Sequence, residues 1–212
     1  MTKQMLIDAD TCSDQVDLFE KTFGDSVVVT VKRAEKVAQL FQWEWAAQLL
    51  DAQGRAEYSR VEAPAWAKYK RVEATAWAEY HRARADALAE YNRVTDAARA
   101  EYERVGAPAW AEYKRVIAPA WAEYERVGAP AWAEYKRAIV TALAEYRRVT
   151  APAQAEYDRV RAPALAEYHR VIATALAEYE RVRAPAWAEY NRAIASEWAT
   201  AFIDMHKRGA SA

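Results

Sequence analysis

The sequence predicts a mainly α protein, with a small N-terminal head followed by a long curved or superhelical α-helical arm of 11-residue repeats. Three observations carry this. All 13 tyrosines lie 11 residues apart, from Tyr58, Tyr69 and Tyr80 through to Tyr190. An Arg follows each Tyr by two places and a Glu precedes each by one, Lys68 being the exception. The consensus A-P-A-W-A-E-Y-x-R-V-x is rich in alanine, the strongest helix former. Eleven residues make three turns of a slightly unwound α-helix, so every unit presents the same face.

The head, residues 1–52, lacks the period. Ser13 reads as the N-cap of a short helix with apolar Val16, Phe19 and Phe23, stopped at Gly24. Val27, Val28 and Val29 are β-branched and read as a short strand whose partner would lie at Met5–Ile7. From Thr30 a helical pattern resumes through Ala34, Val37, Leu40 and Phe41, and continues through Trp43, Trp45, Leu49 and Leu50 toward Gly54. Some fifty residues bury too little surface to be secure alone, so the head should pack on the first repeats or on another chain.

Residues 53–200 form the repeat region. On a helical wheel at about 98° per residue, Val, the second Ala, Tyr and Trp share one side, with Glu, Pro and Arg opposite. The variable eleventh position falls between Tyr and Trp and holds residues as unlike as Gly106, Ile117, Thr150 and Arg161. Glu and Arg three apart, such as Glu112 and Arg115, should pair along the surface.

All seven prolines, Pro64, Pro108, Pro119, Pro130, Pro152, Pro163 and Pro185, occupy one repeat position. Two readings follow. Either one long helix bends slightly at each Pro, always in the same direction, so that prolines set curvature. Or each unit is a short helix starting at Pro, which Gly106 and Gly128, two places before a Pro, favour locally. The first is preferred, with those two glycines as the candidate breaks. A Trp and Tyr stripe on so long a helix needs a partner, either copies of the chain in a right-handed coiled coil or the same chain folded back at the glycines. Residues 201–212 read as a cap and frayed tail.

Thirty basic and 31 acidic residues leave a net charge of −1, a poor match to a protein that neutralises nucleic-acid phosphates. No run approaches the roughly 18 apolar residues of a membrane span, and the first residues are too polar for a signal peptide, so a cytoplasmic protein is expected. Cys12 stands alone, near Asp8, Asp10 and Asp14, and reads as structural. No phosphate loop, paired-cysteine site or nucleophile motif appears, so no enzyme, cofactor or metal is expected. His81 and His169 follow a Tyr at a position that also takes Lys, Glu, Asn and Asp, which reads as solvent filler.

The candidate interaction face is Trp66, Trp77, Trp110, Trp121, Trp132, Trp187 and Trp198 with Tyr113, Tyr124 and Tyr135. Leu88, Leu143, Leu165, Leu176, Arg99 and Gln154 share the Trp position, so the bland reading is a packing face between helices. The sharper one is an aromatic ladder that stacks bases or lines a membrane surface. The chain is expected to be a non-enzymatic structural protein that assembles with itself into an oligomer or filament. The alternative is a binding module for a peptide, membrane surface or nucleic acid.

The tandem A-P-A-W-A-E-Y-x-R-V units, with the opening Asp8-Ala9-Asp10-Thr11-Cys12, then Gln15 to Phe19 and Phe41 to Ala47, resemble repeat proteins of bacteriophage and bacterial genomes. The resemblance covers nearly the whole chain. It is specific in wording and carries over no activity.

Overall fold

The computed structural model describes residues 1–210. The head holds helices α1 (Lys3–Asp8), α2 (Ser13–Phe23), α3 (Val31–Lys36) and α4 (Trp43–Ala46), the last running into a 3-10 turn at Ala47–Leu49. Two long helices follow, α5 (Ala52–Val127) and α6 (Ala129–Ala210), and they pack together. No strand occurs among the described residues. By contacts the chain divides into two compact units, Met1–Tyr80 with Leu176–Ala212, and His81–Ala175.

In the first unit the head closes over the beginning of α5 and the end of α6. Its core joins Ala34, Ala38, Trp43 and Leu50 of the head to Tyr58 and Tyr69 of α5 and to Tyr190, Ile194, Trp198 and Phe202 of α6. The Trp198 indole donates to the Ala46 carbonyl at 2.7 Å, and the Tyr190 hydroxyl donates to Glu44 at 2.9 Å. Asp51 starts α5: its carboxylate accepts the Gly54 N–H at 2.7 Å and pairs with Arg208 at 2.9 Å. Those two contacts, the amide first, hold the Asp51 carboxyl below the usual carboxylate range.

Several expectations for the head are corrected. Cys12, not Ser13, sits at the N-cap of α2, while Gly24 does end it, at φ 73°. The valines form no strand, and Met5–Ile7 is helical. The segment instead meets the chain's first residues through a single antiparallel bridge, Thr2 to Ser26, flanked by Val27 donating to the Met1 carbonyl. Thr30 caps α3, accepting from the Arg33 N–H, but that helix ends at Lys36 rather than continuing through Phe41. Gly54 lies inside α5 and stops nothing. At the other end, helix continues past Trp198 to Ala210 with Phe202 buried, where a capping turn was expected; Ser211 and Ala212 lie outside the described residues.

In the second unit the chain reverses at Gly128, whose φ of 76° lies in the left-handed region that favours glycine. Its N–H donates to the Tyr124 carbonyl and its carbonyl accepts from Ala131, closing a turn of one residue between α5 and α6. Gly106, also a candidate break, is helical. The repeat is thus one chain folded back on itself, the second of the two ways of covering its stripe. Six of the prolines sit in helix interiors, and Pro130 sits in the first turn of α6; all seven are exposed.

Candidate interaction surface

The seam between α5 and α6 is a ladder of tyrosine pairs in which one number rises by 11 as the other falls by 11. In the first unit Tyr69 meets Tyr190 at 6.1 Å between ring centroids, and Tyr80 meets Tyr179 at 6.5 Å. In the second the rungs are Tyr91–Tyr168, Tyr102–Tyr157, Tyr113–Tyr146 and Tyr124–Tyr135, at 6.0–6.4 Å. Ala76, Ala131 and Ala142, all at the alanine four places before a Tyr, are buried, and their small side chains let the backbones approach.

The tryptophans lie along one side of this seam. In the second unit Trp110 stacks on Tyr113 of its own helix at 4.9 Å and meets Tyr146 edge-on across the seam at 5.7 Å. Trp121 meets Tyr135, and Trp132 meets Tyr124, each at 5.1 Å. The first unit repeats the pattern with Trp66 on Tyr190, Trp187 on Tyr69 and Trp77 on Tyr179. These six indoles remain 37–47% exposed, so each is packed in part and open in part. Lys70, Lys114 and Lys136 lie over Trp66, Trp110 and Trp132 at 4.9–5.6 Å. Trp198 departs from the set: it is buried against Trp43 and anchors the head.

Valine marks the opposite side of the seam. Grooves there in the second unit, of about 540 and 250 Å³, are lined by Val, Ala, Tyr and Glu at matching repeat positions. Their glutamates are already engaged. Glu90, Glu112, Glu145 and Glu167 each accept from the Arg three places on, at 2.5–2.8 Å, and this holds their carboxyls below the usual range. The surface pairing of Glu and Arg therefore follows the expected spacing.

The eleventh position, read from sequence only as variable, faces the seam. Glu73 and Arg183 meet across it, with Arg183 Nε 3.5 Å from the Glu73 carboxylate and 3.3 Å from the Tyr69 hydroxyl, which itself donates to Glu73 at 2.6 Å. The Arg161 guanidinium bonds to Tyr91 in the same way. Thr95 and Thr150 turn their hydroxyls back to the Tyr91 and Tyr146 carbonyls at 2.9 Å, so both are buried without an unmet donor. A sequence signal existed, opposite charges at one repeat position, but only the fold-back pairs these two. Beside the head, Tyr58 is buried with its hydroxyl unbonded, because Ala201 stands where the ladder would place its partner.

The remaining candidates lie apart from the seam. Cys12, read as a structural thiol, is exposed at the start of α2, and His81 and His169 are exposed on the helices. Among the described residues no three His, Cys, Asp or Glu side chains converge as a metal site, and no helix is long and apolar enough to cross a membrane. The head holds an apolar cavity lined by Leu6, Phe19, Phe23 and Phe41, but its volume of about 60 Å³ is well under the roughly 150 Å³ that takes a benzene ring. Compared with protein-family models, curated proteins and solved structures, the chain matches none.

Proposed function

We propose that this is a non-enzymatic assembly protein whose tryptophan face docks on the same face of a second copy. The observation that carries this is the set of six indoles, each packed against the seam tyrosines yet 37–47% exposed. Each leaves on the order of 100 Å² outside, so the six indoles supply about 600 Å² of the roughly 800 Å² per partner that a stable interface uses, and their Tyr and Lys neighbours must supply the rest. A tandem array supplies rungs in number.

Charge favours a copy over nucleic acid. The net charge is −1, and the arginines flanking the ladder are neutralised by their own glutamates. On α5, Glu125 follows Tyr124 at the repeat position where Lys114 follows Tyr113, so a copy displaced by one repeat sets lysine against glutamate there. Three lysines already occupy indole faces, which disfavours base stacking there.

Light scattering coupled to small-angle X-ray scattering over a concentration series tests this, comparing the natural chain with a Trp110→Gln, Trp121→Gln, Trp132→Gln variant. Glutamine is chosen because Gln154 occupies the same repeat position. The natural chain should rise above 24.1 kDa with concentration. The variant, with its helicity kept, should need about tenfold more protein to associate, the loss of roughly 1.4 kcal/mol of contact. A natural chain that stays monomeric throughout, or a variant that associates equally well, overturns the reading. Salt-sensitive retention on nucleic acid or anionic vesicles would move the protein to the binding modules.

A further inference from the structure

The 16 residues Ala100–Arg115 and Ala122–Arg137 are one sequence in two conformations. In the first copy Gly106 continues α5; in the second Gly128 takes φ 76° and reverses the chain. At both glycines an added Cβ would meet nothing within 4 Å, so a substitution there is judged by backbone conformation and not by crowding. The local sequence is competent for both, and the choice is made outside it, by the ladder that the reversal allows to form.

We propose that the Tyr and Ala seam is also an interface between copies: with Gly128 helical, α5 of one chain pairs with α6 of a second copy and the reverse. The pairing keeps the register seen within one chain. Tyr124 meets the partner's Tyr135 and Tyr113 the partner's Tyr146, so every rung lost on opening is regained. Continuous helix through Gly128 also supplies backbone hydrogen bonds that the reversal forgoes. What is lost is the freedom of two independent molecules, so exchange is driven by concentration.

The eleventh position selects the register. A partner slid by one repeat would still set Tyr on Tyr, but it would separate Glu73 from Arg183 and bring residues of unlike size and charge to one height. The in-register swapped dimer is the pairing that keeps these contacts. This interface is the seam, not the tryptophan face, and stands whether or not that face associates.

The test uses Gly128→Ala, Gly106→Ala and Gly128→Asn in the full chain, followed by light scattering. Each is also made with Ile117→Cys and Ile139→Cys in a Cys12→Ser background and treated with a short bifunctional maleimide. These two isoleucines occupy eleventh positions at one height on α5 and α6, so their link lies within a chain in the folded-back form and between chains in the swapped form. Alanine is disfavoured at positive φ and favoured in helix, together about 30-fold per hinge and so about a thousandfold in the dimerisation constant. Gly128→Ala should be dimeric with interchain links. Gly106→Ala should match the natural chain, and Gly128→Asn, which tolerates positive φ, should keep intrachain links. A Gly128→Ala protein that stays monomeric, or that dimerises with intrachain links only, overturns the proposal, and the latter result leaves the tryptophan face as the site of association. Equal dimerisation of Gly106→Ala and Gly128→Ala overturns it as well. Should Gly128→Ala not fold, a glycine inserted after Gly128 decides: it relaxes the reversal, and failure to lower the natural chain's interchain links at high concentration counts against exchange.

Discussion

Arg183 on α6 reaches across the seam to Glu73 on α5, and the Tyr69 hydroxyl lies between them, bonded to both. Coupling between the two charges should appear in a double-mutant cycle with Glu73→Arg and Arg183→Glu, followed by urea unfolding. Each single change sets like charges together, and Glu73→Arg also loses the Lys70 contact. The double variant should recover about 0.5–1 kcal/mol relative to additivity, a modest figure because both side chains are partly exposed. Strict additivity would show that the pair does not help to hold the register.

Tyr58 is the tyrosine without a rung partner. Burial pushes its phenol well above the ordinary range, and its hydroxyl finds no acceptor. Removing an unmet buried donor relieves a desolvation penalty of about 1–2 kcal/mol at no cost in packed area. Tyr58→Phe should therefore raise the midpoint of thermal unfolding, whereas Tyr190→Phe, which removes the hydroxyl that donates to Glu44, should lower it. If both changes shift the midpoint alike, the assignment of the orphaned hydroxyl is wrong.

Glu62 gives a pH signature. Burial first, and the Glu44 charge second, raise its carboxyl above the ordinary carboxylate range. An acid with a raised folded pKa binds its proton more tightly when folded. Its contribution is therefore full at low pH and is lost as pH rises from the ordinary carboxylate value through the raised one. The arginine-bonded glutamates, held low, act in the opposite sense. Glu62→Gln isolates the first effect: relative to the natural chain it should gain stability as pH rises from 4 toward 7. A stability difference that is flat with pH counts against it.

The helices and their polar face were legible because the 11-residue period fixes them residue by residue. Trp110 and Tyr113 fall on one stripe, and Glu112 and Arg115 on one surface row, in any helix of that sequence. The site of reversal was not legible. Gly106 and Gly128 sit in identical 16-residue segments, so no local rule distinguishes them. A fold-back at Gly106 would pair Tyr102 with Tyr113 and leave the later repeats without partners on α5, whereas Gly128 pairs Tyr124 with Tyr135 and brings Trp198 under the head. The role of the eleventh position was hidden for the same reason: Glu73 and Arg183 are 110 residues apart, and only the register joins them. In the head, the short β-branched run Val27–Val29 suggested a strand, yet its expected partner Met5–Ile7 is helical and only the bridge from Thr2 to Ser26 forms.

Pro119 and Pro130 share a repeat position but differ in what they cost. Pro119 lies deep inside α5, where it removes a backbone hydrogen bond and crowds the preceding turn, at about 3 kcal/mol relative to alanine. Pro130 is the second residue of α6, where no helical partner is available to an N–H and a fixed φ suits the helix start. Pro119→Ala should therefore stabilise the fold by about 2–3 kcal/mol in chemical unfolding, while Pro130→Ala should be neutral or slightly destabilising. Because the prolines all lie on the exposed side, neither change disturbs the seam. If the interior prolines also bend the helix, Pro119→Ala will straighten it, and scattering from the same sample reads that shape. Equal stabilisation by the two substitutions would mean that α6 begins before Gly128 in solution, and so that the reversal there is open.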